Sequence, residues 1–173
     1  MIQLSFTKND IIAANNLANK LGQLNNSITN GGGNFSGFLG ELVLARYLNI
    51  EFNEKRNVYN HDLIYLGKTI EVKTKRRTQD PSLYWDVSVA STSLHQRPDI
   101  YAFMSITFKE FKKTSGQRVY DEPLKIWLCG FYDAKKYVDE AQFIRKGSLD
   151  PSNNFRAHVD MYNLKISKLQ NKP

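Results

Sequence analysis

Asp62, Glu71 and Lys73 fall within one short stretch, Asn60 to Arg77, which reads NHDLIYLGKTIEVKTKRR. Two acids and an amine are the side chains that can hold a hard divalent cation and orient a water beside it. Ions such as Mg²⁺ take oxygen ligands, commonly one or two carboxylates together with waters and a phosphate oxygen. A bound ion lowers the pKa of a water and shields phosphate charge, and a neighbouring ammonium stabilises developing negative charge. The reaction such a group serves is phosphodiester hydrolysis. Taken alone, Glu71-x-Lys73 would be a solvated surface pair, because such triplets are common. Asp62 at a matching position and the basic run that follows weigh toward a site.

The element that must position these side chains is a hairpin. Asp62 to Leu66 and Thr69 to Lys73 are β-like runs flanking Gly67-Lys68, and a two-residue loop with Gly first predicts a type II′ turn. With Leu66 paired to Thr69, Ile64 falls opposite Glu71 and Asp62 opposite Lys73. Alternation then puts Asp62, Glu71 and Lys73 on one face and Leu63, Tyr65, Ile70 and Val72 on the other. Asp62 and Glu71 become diagonal neighbours, roughly 7–8 Å apart at the backbone.

A third acid comes from a helix predicted over Phe35 to Leu48. Phe38, Leu44, Ala45 and Leu48 share a side with Glu41, so this carboxylate projects from the apolar stripe. A buried carboxylate requires a partner. A metal, a metal-bound water or Lys73 would serve, as would an arginine such as Arg46.

Asp62 followed by Glu71-Val72-Lys73 resembles the D…(D/E)-x-K signature of the PD-(D/E)xK nuclease superfamily, with His61 rather than Pro before the first acid. Gly37-Phe38-Leu39-Gly40-Glu41 is similar to the helix-borne glutamate that precedes the core motif in many members. The resemblance covers roughly Ser36 to Ser105. It implies an α/β, restriction-endonuclease-like core with a central mixed β-sheet flanked by helices. It also implies a metal-dependent nuclease using Mg²⁺ or Mn²⁺, held by Asp62, Glu71 and the main-chain carbonyl of Val72. Lys73 would position the attacking water, and Glu41 would hold a second metal or a water. Gln96 and Tyr101 resemble a Gln/Tyr element of exonuclease-like members, one residue longer in spacing, which offers Gln96 as an accessory group. The expectation is a DNA endonuclease of the phage type, structure-directed or weakly sequence-specific. A non-catalytic nucleic-acid-binding protein keeping the fold, an exonuclease and an RNA-directed enzyme are the alternatives. Cutting both strands takes two sites, which a homodimer would supply.

Composition is compatible with this. The chain has 173 residues, 41% of them hydrophobic, enough for one domain over 1–173 with its own core. Lys and Arg number 24 against 17 Asp and Glu, giving +7 and a pI near 9.4. That balance favours an anionic partner, and double-stranded or branched DNA is the expected one. Lys68, Lys75, Arg76 and Arg77 crowd the proposed site and would contact backbone phosphates, with Lys109, Lys112 and Lys113 as a second cluster. No run has the length of a membrane span and MIQLSFTKND lacks a signal-peptide pattern, so an intracellular, cytoplasmic protein is expected. The single cysteine, Cys129, excludes an intramolecular disulfide and a multi-cysteine zinc site. His61, His95 and His158 are scattered, and no GxSxG, HExxH or CxxC occurs.

Elsewhere Thr7 to Asp10 predicts a capping box for a helix to about Leu24, whose apolar stripe includes Ile11, Ala14, Leu17 and Leu21. Asn25 to Asn34, with three successive glycines, reads as a loop. Strands are expected at Leu83–Ala90, Asp99–Phe108, Leu124–Tyr132 and Met161–Ile166, and a short helix at Asp133–Glu140. Ser91–Pro98 reads as a loop or short helix, Lys109–Asp121 as a hairpin-like loop and Gly147–Asn154 as a loop.

Overall fold

Strand β1 (Ile2–Leu4) leads into helix α1 (Lys8–Leu21), and the start of that helix is fixed by a reciprocal cap. Asp10 N–H donates to Thr7 Oγ1 at 3.3 Å while Asp10 Oδ2 accepts from Thr7 N–H at 2.6 Å, which satisfies donors the first turn would leave open. The computed structural model describes residues 1–21, 34–52, 60–114, 117–120, 122–151 and 155–173, with no side chains between 111 and 121. The expected extension of the first helix to Leu24, nearly all of the glycine loop at 25–34, and 152–154 of the 147–154 loop lie outside the described residues.

Helix α2 (Asn34–Tyr47) buries Leu39, Gly40, Val43, Leu44 and Ala45. Arg46, near its end, donates to both carboxylate oxygens of Asp10 at 2.7 and 2.9 Å and to the Ser5 carbonyl at 2.7 Å. One guanidinium thereby ties the end of α2 to the start of α1. Burial alone would raise the Asp10 pKa, but the Arg46 and Thr7 hydrogen bonds outweigh it and hold the carboxyl below its usual value.

Strands β2 (Leu63–Tyr65), β3 (Lys68–Arg77) and β4 (Asp86–Ala90) follow, then a 3₁₀ turn at Ser91–Gln96 and β5 (Ile100–Phe108). A hairpin of β6 (Phe111–Thr114) and β7 (Gln117–Tyr120) leads to β8 (Pro123–Asp133). Helix α3 (Ala134–Glu140), β9 (Gln142–Ile144) and β10 (Met161–Lys165) complete the chain's main elements. A five-stranded sheet has the order β1-β8-β5-β3-β2, with β3 and β5 parallel and the other neighbours antiparallel. The fold is therefore α/β with a mixed sheet. β5 lies at its centre and every one of its residues is buried, as a continuous apolar run on a doubly covered strand should be.

Alternation along β3 and β5 divides the core in two. Ile70, Val72, Ala102, Met104 and Ile106 face α1 and α2 with Leu39, Val43 and Leu44. Tyr101 and Phe103 face a second sheet, β4-β10-β9, through Val87, Val89 and Leu164. Tyr137 of α3 joins them, its ring 5.3 Å from Tyr101 and 5.5 Å from Phe103. Of the expected flanking helices, α1 and α2 cover one face of the mixed sheet; the other is covered by the small sheet together with α3. β1 and β9, each of three residues, were not foreseen.

The hairpin register also departs from expectation. Leu63 pairs with Ile70, Ile64 with Thr69 and Tyr65 with Lys68, so Leu66-Gly67 is the two-residue loop rather than Gly67-Lys68. Both loop residues have positive φ, 48° and 78°, the type I′ form and not II′. Leu63 and Ile70 are both wholly buried, and that apolar pair decides between two turns that both use Gly67. The displacement is two residues along β3, which preserves the faces but removes the expected pairing of Asp62 with Lys73.

Gly40 lets α2 lie against β3. A Cβ there would collide with Thr74 Oγ1, so this β-branched side chain would have to leave its rotamer to make room. No helix among the described residues is long and apolar enough to cross a membrane.

Candidate functional site

β3 presents Glu71, Lys73, Lys75 and Arg77 on the face toward the second sheet, because side chains two apart share a face. Glu71 is only 4% exposed. Its Oε1 accepts from Lys73 Nζ at 2.8 Å, and Lys73 Nζ also donates to Gln96 Oε1 at 3.2 Å. Glu71 Oε2 is buried with no hydrogen-bond partner among the described residues. An acceptor left in that state costs about 1–3 kcal/mol, more when charged, so the position calls for a donor or a cation. Tyr101 sits beside Glu71 in the parallel register. Burial, with a further contribution from the Glu71 charge, pushes its phenol up to about 12, so it stays protonated at neutral pH.

Asp62 reaches this group from the end of β2. Its N–H donates to the Ile70 carbonyl at 2.9 Å, and its Oδ2 accepts from Val72 N–H at 2.7 Å. The carboxylate thus takes the place of a strand carbonyl and continues the ladder by one bond. Glu41 is carried by α2 over the opposite face of β3, half-buried, with Oε1 lying back along its own helix toward Gly37. Glu71, Lys73 and Gln96 are brought into direct contact, and Asp62 accepts from the N–H of Val72, the residue between Glu71 and Lys73. Glu41 is not gathered with them: no three Asp, Glu, His or Cys among the described residues come close enough to hold a metal by side chains alone.

The residues still suit one kind of ion. Two neighbouring carboxylates, one with an oxygen that has no donor among the described residues, and main-chain carbonyls are hard oxygen ligands. Mg²⁺ takes one or two such carboxylates and keeps several of its waters.

The basic run is placed differently from a solvated phosphate-tracking arm. Lys68 is exposed beside the turn, and Arg76 lies on the opposite face from its neighbours. Lys75 and Arg77 turn inward. Lys75 Nζ donates to the Asp86 carbonyl at 3.1 Å and to Ser88 Oγ at 2.9 Å. Arg77 donates from Nε to Ser105 Oγ at 3.1 Å and from Nη2 to the Asp86 carbonyl at 3.0 Å, with its guanidinium 4.8 Å from the Trp85 ring centre. Burial, and then repulsion from Arg77, lower the Lys75 pKa to about 8.

A polar chain behind Lys75 was missed from sequence. Ser88 Oγ donates to Asn163 Oδ1 at 2.6 Å, and Asn163 Nδ2 donates to the buried Asp150 Oδ2 at 2.7 Å. The available signal was Asn163 itself, a lone amide inside the apolar run Met161 to Ile166. Comparison with protein-family models, curated proteins and solved structures returns no match to this chain.

Proposed function

We propose that the chain is a metal-dependent nuclease that hydrolyses DNA phosphodiesters, with a restriction-endonuclease-like core. The observation that carries the reading is Glu71: a buried carboxylate held on one oxygen by Lys73 and open on the other, with Asp62 fixed beside it on Val72 N–H. Asp62, Glu71 and the Val72 carbonyl would hold Mg²⁺ or Mn²⁺. When bound, the ion activates water and neutralises phosphate charge. Lys73, oriented by Glu71 and Gln96, keeps one ammonium proton without a partner among the described residues, and this proton can be offered to a water or a phosphate oxygen. Gln96 acts as a positioning residue for Lys73. Glu41, from its place on α2, would hold a second metal or a water. Lys68 contributes positive charge at the rim. A structure-directed or weakly sequence-specific endonuclease acting on double-stranded or branched DNA, as a homodimer, is the form proposed.

The test is incubation with supercoiled, linear, branched and single-stranded DNA and with RNA, with and without Mg²⁺. Divalent-dependent cleavage is expected, and Glu71→Ala should abolish it while leaving DNA binding in place. No cleavage of any substrate, or a variant as fast as the parent, would overturn the assignment.

A further inference from the structure

The face of β3 that carries Glu71 continues into a cleft of about 270 Å³ between the two sheets, lined among others by Lys73, Lys75, Arg77, Ser88, Ser93 and Cys129. Every charged side chain lining it is a cation, and Glu71 is not among the lining residues. All the hydrogen bonds of Lys75 and Arg77 go to neutral oxygens: the Asp86 carbonyl, Ser88 Oγ and Ser105 Oγ. The Asp86 carboxylate lies 3.0 Å from Lys165, and Asp150 is joined to Lys75 by hydrogen bonds through Ser88 and Asn163. One ammonium proton of Lys75 and three of the five guanidinium N–H groups of Arg77 therefore have no hydrogen-bond acceptor among the described residues.

Two like charges side by side in a partly buried wall, hydrogen-bonded to no carboxylate among the described residues, repel each other and lose hydration, which the nearby Asp86 and Asp150 charges offset only in part. Buried charges are ordinarily paired. An anion entering the cleft would supply the pair, and a planar guanidinium beside an ammonium suits the oxygens of a phosphate. The volume is that of about nine waters at ~30 Å³ each, enough for a phosphate group with part of its hydration and below the usual size for a drug-like ligand. The cysteine on the wall does not oppose this, since burial pushes its thiol up to about 11 and keeps it neutral.

We propose that this cleft is a receptor for a phosphate monoester, the dianionic end group of a nucleic-acid strand or of a free nucleotide. It stands on the cleft alone and does not require cleavage at Glu71. The experiment is calorimetric titration without divalent metal, using inorganic phosphate, a terminally phosphorylated dinucleotide and the same dinucleotide without its phosphate. Binding of the phosphate-bearing probes is expected, weakened about tenfold or more by Lys75→Met and by Arg77→Met and unchanged by Lys109→Ala. Should the methionine variants not fold, Arg77→Lys, which keeps the charge and loses the fork, is expected to weaken binding by several-fold. A preference of about tenfold for the phosphorylated dinucleotide over inorganic phosphate supports a monoester receptor; equal affinity for the two, or equal affinity for the dinucleotide without its phosphate, overturns it. Failure of every phosphate-bearing probe to bind at about 10 mM, or equal affinity in wild type and variants, overturns the proposal.

Discussion

Lys75 makes stability depend on pH in a way that one substitution can isolate. Its ammonium has a pKa near 8 in the folded protein against 10.5 unfolded, lowered by burial and by Arg77 and only partly restored by Asp86 and Asp150. The sign follows from proton counting. Between those two values the unfolded chain binds more protons than the folded one, so stability rises with pH across that window. The gain is negligible at pH 7, about 1 kcal/mol by pH 9 and between about 2 and 3 kcal/mol by pH 10. Lys75→Met lacks the titrating group and should lack the gain, so urea midpoints of wild type and variant should diverge by roughly 0.5–1 M between pH 7 and 9. The other perturbed groups nearby cancel in this comparison, although Cys129, whose thiol has its ordinary value of 9.0 in the unfolded chain, takes stability away above about pH 9. Cys129 titrates near 11 and Tyr101 and Tyr132 near 12, and all three are common to both proteins. Raised tyrosine pKa values carry the opposite sign and act only above pH 10. Parallel stability profiles between pH 7 and 10 would refute the placement of Lys75 as a charge held against burial.

Three further perturbations test individual contacts. Gly40→Ala should destabilise by about 1–3 kcal/mol in chemical denaturation, because the new methyl group meets Thr74 Oγ1 and forces that side chain to shift. Leu66→Asn should stabilise by about 1 kcal/mol, measured as a rise in melting temperature, since Leu66 is 85% exposed and holds φ at 48° in a loop where Asn-Gly is favoured. Asp62→Asn should keep the Val72 hydrogen bond and near-normal stability while losing divalent-dependent activity; Asp62→Ala should lose both, with about 1–3 kcal/mol of stability from the stranded N–H. Equal stability of the two Asp62 variants would show that the ladder role is absent.

Much of the framework could be read from local pattern. The capping box at Thr7 and the wholly apolar strand β5 are signals contained in a few consecutive residues, and β8 and the Asp133 cap of α3 are of the same kind. The hairpin register was not legible because Gly67 satisfies a two-residue loop in either of two positions. The choice depends on burial of Leu63 against Ile70 and on Asp99, thirty residues along, which accepts from both Thr69 N–H and Thr69 Oγ1. Alternation places Glu71, Lys73, Lys75 and Arg77 on one face, but whether that face is wet depends on what covers it. The cover is built from β4, β9 and β10, and the last two come from the far end of the chain. Lys75 and Arg77 therefore look like solvated charges in the sequence and are cleft walls in the fold.

The pairing of β10 with β4 joins residues 161–165 to 86–90. Residues 161–165 must leave the ribosome before that closure can happen. Until then the β3 cations face water and can meet any polyanion in the surroundings, while afterwards only a group small enough to enter between the sheets can reach them. Synthesis itself would then separate an early, indiscriminate electrostatic attraction from a late, size-limited one, and the C-terminal strand is the element that makes the change.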